Sequence, residues 1–145
     1  TANTLDDYEE GTFTPTLLGS SSNPNISAGS FVGAYRKIGD AVFLFIYGGF
    51  TVDDVGSGTI TIGAIPFTSN SFGGGYNFTF SGRGFSMSDT TKIVVPRLAP
   101  NSTIVYLAIF DQNAYPASES SATNSNLNTS ANGANWAMQA IYFTS

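Results

Sequence analysis

Ten consecutive residues, Ala41 to Phe50 (AVFLFIYGGF), carry no charge and a single hydroxyl. On an extended chain Val42, Leu44 and Ile46 fall on one side and Phe43, Phe45 and Tyr47 on the other, so as a strand this block has no face that belongs in water. In an antiparallel sandwich one face of each strand is ordinarily solvated. The second face must therefore be covered by the rest of its own chain or by a neighbouring subunit. A chain of 145 residues is expected to build one core, and association is then the economical way to cover the other side.

The two residues before the block, Gly39-Asp40, name its pairing partner. Glycine at the first position of a two-residue connection supplies the positive φ of a type II′ hairpin turn, so Phe31 to Ile38 and Ala41 to Thr51 are expected to pair. The GTFTPTLL run that opens at Gly11, then Gly58 to Ile65, Tyr76 to Met87, Lys92 to Leu98, Thr103 to Phe110 and Ala134 to Phe143 all read as strands. Each alternates apolar or β-branched residues with polar ones and is bounded by Gly, Pro, Asn or Ser. With the hairpin they make about eight strands and no segment has helical periodicity, so the fold class is all-β, an antiparallel sandwich. Pro15 and Pro96 lack an N–H and belong at sheet edges or bulges. Gly82-Arg83-Gly84 reads as a bulge inside one strand or as a turn that splits it, the bulge being preferred. Gly19 to Ser30 reads as a long exposed loop with an Asn-Pro turn signal. Asp111 to Gly133, 23 residues rich in Ser, Asn, Thr and Ala, reads as a second loop, long enough to suggest function.

Composition removes several classes of partner and chemistry. Five Lys+Arg against ten Asp+Glu leave a net charge of −5, and without a basic run nucleic acid is not an expected partner. There is no Cys and no His, which excludes disulfides, thiolate or imidazole metal sites and every nucleophile that needs a His base. The longest nearly unbroken apolar stretch, Ala41 to Val52, is too short to span a bilayer, so no membrane insertion is expected. Uncharged polar residues abound, with 18 Ser, 16 Thr and 12 Asn, but 14% aromatic residues in short alternating blocks mark an ordered β protein rather than a disordered chain.

The opening LDDYEEGTFTPTL, Leu5 to Leu17, resembles a motif at the start of C-terminal tip (receptor-binding) domains of bacteriophage and prophage tail fibres and related viral appendage proteins. YRKIGDAVFLF from Tyr35 to Phe45, IPFTS from Ile65 to Ser69, and the aromatic ending Tyr142-Phe143-Thr144 resemble the same family. The resemblance implies that residues 1–10 are an entry segment from an upstream stalk of the same chain. Residues 11–145 would then form one homotrimeric knob, similar to the jelly roll of tumour-necrosis-factor-like proteins, at the tip of a virion tail fibre. It further implies attachment to a host cell-surface glycan or outer-membrane protein. A trimerisation or capping module of a fibre, and the tip of a bacterial adhesive fibre, are the alternatives with the same fold.

Binding residues are sought on the loops. Beyond the entry segment and Asp40, the carboxylates are Asp53, Asp54, Asp89, Asp111 and Glu119. No spacing pairs two of them for glycoside hydrolysis, and the adjacent Asp53 and Asp54 point to opposite sides of an extended chain. No catalytic residue is therefore assigned, and the expected function is non-enzymatic, with no cofactor. Oxygen ligands alone would favour Ca²⁺ or Mg²⁺, but the spacing matches no Ca²⁺ loop and no metal site is assigned. If each strand crosses the sandwich once, Asp53, Asp54, Asp89, Asp111, Glu119 and Tyr115 gather at the end opposite the entry segment. Tyr115, followed by Pro116, offers the best stacking surface for a sugar ring, with Asp111 and Asn113 nearby as hydrogen-bonding groups. Trp136 alternates with Met138 and Ala140 and is expected in the core or an interface rather than on a ligand. Gly73-Gly74-Gly75 lacks a following helix and Lys-Ser/Thr, and reads as a hairpin loop rather than a phosphate cradle.

Overall fold

The computed structural model describes residues 7–71, 81–83, 92–111, 113, 119–126 and 134–144. They form two packed antiparallel sheets, an all-β sandwich, as the alternation of the sequence requires. Sheet A runs in the order β1 (Tyr8–Phe13), β3 (Asn25–Ile38), β4 (Ala41–Asp54), β10 (Ala134–Phe143), β6 (Ser81–Arg83). Sheet B has β2 (Thr16–Gly19), β5 (Ile60–Gly63), β8 (Val105–Asp111) and β7 (Lys92–Leu98), with β9 (Glu119–Ser121) also paired to β8. The chain passes from β4 to β5 to β6 to β7 by changing sheet each time. The late strands β10 and β8 then slot between the early ones, the interleaving of jelly-roll sandwiches.

The β3–β4 hairpin is the longest pairing and holds the architecture together. Its turn is the expected one: of Gly39 and Asp40 only the glycine has positive φ, at 58°, which is the type II′ pattern. The strands extend further than the sequence suggests. Gly19 to Ser30 is not one long loop, because Asn25 to Ser30 form the first part of β3, paired through register shifts with Gly49 to Asp54. A Ser/Gly-rich segment has little β preference of its own, and the ladder offered by β4 supplies the order. Pro15 sits where the chain leaves the β1 edge of sheet A for the β2 edge of sheet B, and Pro96 lies in the edge strand β7, both positions that need no N–H from proline. Ser81-Gly82-Arg83 is extended and in unbroken one-to-one register with Gln139, Met138 and Ala137, so Gly82-Arg83 forms neither a turn nor the expected bulge. Gly84 and the Gly73–Gly75 run lie outside the described residues.

The core is the space between the sheets. From β4 it takes Val42, Leu44 and Ile46, from β10 Trp136, Met138 and Tyr142, and from sheet B Ile60, Ile62, Leu98, Val105, Leu107 and Ile109. Trp136 is fully buried, with ring centroids of Phe50 at 5.0 Å and Phe31 at 6.3 Å. Gly48 makes this cluster possible: a Cβ there would lie 2.7 Å from the Phe50 ring and 2.8 Å from the Phe31 ring. At the other end Tyr142 is buried, donates its hydroxyl hydrogen bond to the Phe67 carbonyl over 3.1 Å, and has its ionisation pushed up by desolvation.

Topology gives the sandwich two unlike ends. The Gly39-Asp40 turn, Asp7 and Thr144 share one, joined by Gly39 N to Asp7 O (3.2 Å) and Thr144 N to Asp40 O (2.8 Å). At the opposite end lie the Ser20–Pro24 connection, the stretch from Asp54 to Gly58, and the end of β8 at Asp111.

Candidate functional site

Two features stand out from the core outward: the exposed side of sheet A and the loop end. On β4 the residues between the buried ones are Phe43, Phe45 and Tyr47, and all are 40% or more exposed. Register places them in rows that run across three strands: Val32–Tyr47–Ala137, Ala34–Phe45–Gln139, Arg36–Phe43–Ile141 and Ile38–Ala41–Phe143. Val32 and Phe45 are each 49% exposed and Ile141 53%. The doubly apolar strand expected from the sequence is thus present, with one side buried in the core and the other left about half exposed. Three strands about 4.8 Å apart and rows about 6.8 Å apart give a patch of roughly 400 Å², within the ~300–600 Å² of the largest and often functional patches on monomeric proteins.

Charge stops at the border of that face. Arg36 meets Glu10 on β1 at 3.5 Å, and Glu10 also accepts the Tyr8 hydroxyl at 2.5 Å. The Tyr8 hydrogen bond, with Arg36 as a lesser contribution, holds the Glu10 carboxyl below its ordinary 4.5, and the same bond pushes the Tyr8 phenol up. On the other side of β1, Tyr35 donates to Glu9 at 2.6 Å. Tyr8, Glu9 and Glu10 are therefore ladder residues of β1, and Thr1 to Asp6 lie outside the described residues.

The loop end is built from short polar links. Ser22 and Ser57 exchange backbone hydrogen bonds of 3.2 and 3.0 Å, and their hydroxyls meet at 3.0 Å. Asp54 accepts Gly56 N at 2.9 Å and Asp111 accepts Asn113 N at 2.9 Å, two Asx turns that shape the backbone. Asp53 and Asp54 are exposed at the end of β4, and Asp111 at the end of β8 lies at the same end of the sandwich. Tyr115 and Asp89 lie outside the described residues. Among the described residues no three carboxylates gather closely enough to hold a metal ion.

Asp111 to Gly133 is not a plain loop. Glu119–Ser121 pairs with Ala108 to Phe110, Ala122 is buried, and a 3₁₀ turn at Asn124–Asn126 follows. Asn124 is itself 2% exposed, and its amide donates to the Val55 carbonyl beneath the other loop. Sequence reasoning missed this clasp, since an Asn in a Ser/Asn-rich stretch carries no sign of burial. Nor did it find Arg97, whose guanidinium pairs with Glu119 at 2.6 Å and lies over the Phe110 ring on the outer side of sheet B.

No family model matches the chain, and no curated protein matches its sequence. Among solved structures it is similar to the Dettilon tailspike protein, with a TM-score of 0.68 and 16% identity over 94% of this chain. The chain spans 24% of the length of that tailspike, so the likeness is to one part of a larger molecule. At this identity it is a likeness of fold: the sandwich found here is one that a phage tailspike also contains.

Proposed function

We propose that the chain is a non-enzymatic tip module of a phage tail fibre or tailspike. Three copies associate through the outer side of sheet A, and the loop end attaches to a host cell-surface glycan or outer-membrane protein. The observation that carries the reading is the segregation of surface: among the described residues most large apolar side chains left exposed are on one sheet face, while polar Asx-turn loops crowd one end. The likeness in fold to part of a tailspike supports the setting on a virion tail.

A further copy of the chain fits the apolar face better than a glycan does. Sugar recognition needs several hydrogen-bonding groups beside an aromatic ring, and among the described residues the four rows of the face hold few, the Gln139 amide and the Tyr47 hydroxyl, with Arg36 engaged at the rim. An identical copy brings an equally apolar surface. Glu10 and Arg36, at the border of the face, are already paired with each other. The end that carries Asp7 and Thr144 then faces an upstream stalk, and the end with Asp53, Asp54 and Asp111 faces the host.

Binding of labelled protein to susceptible cells, compared with its Tyr115→Ala variant, tests the attachment. A loss of roughly 1–3 kcal/mol per site, multiplied by valency, is the expected result. Full folding and assembly with no binding to any host surface would favour a trimerisation or capping module, and release of sugar from host polysaccharide would make it an enzyme.

A further inference from the structure

Two small polar side chains are buried among the described residues, Ser69 and Asn124, and they are satisfied to different degrees. The Ser69 hydroxyl donates to the Ala99 carbonyl at 2.6 Å and accepts Ser102 N at 3.1 Å. The Asn124 amide donates to the Val55 carbonyl, but its Oδ1, equally buried, accepts no hydrogen bond among the described residues. An acceptor removed from water without a partner carries its full desolvation penalty, a bias of roughly ten- to a hundredfold toward any form in which water reaches it.

The turn that carries Asn124 is held in shape by its own bonds. Thr123 N and the Thr123 hydroxyl both donate to Asn126 Oδ1, at 2.8 and 2.9 Å, and Asn126 N donates to the Thr123 carbonyl at 2.9 Å. None of these breaks if the turn moves as a unit. Asn124 fastens it to the Asp54 to Gly58 stretch twice, by its side chain to Val55 and by its N–H to the Gly58 carbonyl at 2.9 Å. That stretch is secured separately, by Gly56 N to Asp54 and by the Ser22–Ser57 exchange. The residue before the turn, Ala122, is buried and bonded on both sides, to Leu107 at 2.7 Å and Ile60 at 2.8 Å. The firm anchor is therefore Ala122, and the fastening that carries a penalty lies just beyond it.

We infer that Thr123–Asn126 is a latch, which swings on Ala122 away from the Asp54 to Gly58 stretch as a preformed turn while the sandwich stays folded. Opening lets water reach Asn124 Oδ1 and brings the carboxamide, both donor and acceptor, out to the end that carries Asp53, Asp54 and Asp111. The inference is independent of the assembly and the attachment proposed above.

Residue-resolved amide hydrogen exchange on the full 145-residue chain tests it. In the parent protein the Asn124 amide is expected to exchange at least about 100-fold faster than the ladder amides shared by β4 and β10, at a rate that low denaturant does not change, the mark of local opening. A second sample locks the latch. Thr59 and Thr123 are antiparallel partners flanked by the Ile60–Ala122 and Asn124–Gly58 bonds, the close pair type with Cα atoms about 4.5 Å apart, within reach of a disulfide. The chain has no cysteine of its own, so the Thr59→Cys/Thr123→Cys variant forms one defined crosslink. Its oxidised form is expected to slow exchange at Asn124 by about tenfold or more, and reduction to restore it. Asn124→Asp, which leaves Val55 without its donor and adds a charge, is expected to lose protection at position 124 and keep the circular dichroism of the sandwich. Exchange at Asn124 in step with the β4–β10 ladder, no response to the crosslink, or an Asn124→Asp variant that loses the sandwich together with the turn would overturn the latch.

Discussion

The two outer faces of this sandwich come from strands with the same inward pattern and are otherwise opposites. Sheet A presents Val32, Phe43, Phe45, Tyr47 and Ile141 in aligned rows, with its Arg36–Glu10 ion pair at the border toward β1. Sheet B interrupts its exposed Ile93 and Tyr106 with the Arg97–Glu119 pair and with Thr61, which faces Tyr106 in the ladder. The inward faces determine that both sheets fold. The outward faces determine what each sheet does next: a mixed face is compatible with solvent as it stands, whereas an aligned apolar face is stable in water only at a cost that association removes.

The sharpest way to break the comparison is one charge on each face. Phe45 is half exposed and lies outside the core, and Phe45→Asp puts a carboxylate in the centre of the apolar rows. Sedimentation at micromolar concentration is expected to show dissociation to single chains with circular dichroism intact. Trp136→Ala acts beneath the same sheet rather than upon it. Losing this ring from between Phe31 and Phe50 is expected to cost about 3–5 kcal/mol in denaturant unfolding, by an effect on the fold itself rather than on assembly. Tyr106→Asp on sheet B is the matched control for Phe45→Asp. It is expected to leave the mass unchanged and to cost about 1 kcal/mol of stability. Should it dissociate the protein as Phe45→Asp does, the two faces are not different in kind.

Much of this contrast was legible in the sequence, and the reasons differ from element to element. The Ala41–Phe50 block shows both of its sides in its own letters, and Gly39-Asp40 announces the hairpin, so the apolar face and its main pairing could be read directly. Asn25 to Ser30 could not, because their strand conformation is imposed by the far end of β4 across shifts in register. Glu119 to Ser121 are strand for a similar reason: they extend the lane of β5 alongside β8, and Leu107 O then receives Ala122 N at 2.7 Å. Local preference is silent where a neighbouring strand supplies the hydrogen-bonding edge. Of the candidate binding residues, counting crossings put Asp53, Asp54, Asp89, Asp111 and Tyr115 at one end; Asp53, Asp54 and Asp111 do share an end of the sandwich, while Asp89 and Tyr115 lie outside the described residues. The burial of Asn124 was invisible, since it depends on a carbonyl 69 positions earlier in the chain.

The smallest expected effect sharpens the border of the apolar face. The Glu10 carboxyl is held below 4.5, chiefly by the Tyr8 hydroxyl, so its stabilising contribution is present above that value and is lost as pH falls through the lowered one. The pair is open to solvent, so Glu10→Gln is expected to lower the melting temperature only slightly at pH 6, with the difference from the parent protein closing toward pH 3.

The most direct test of the central claim is the mass of the unmodified 145-residue chain in solution. Sedimentation equilibrium at micromolar concentration is expected to return about three times the 15.2 kDa of one chain. A single species of 15.2 kDa over the same range, with the apolar face of sheet A open to water, would contradict it.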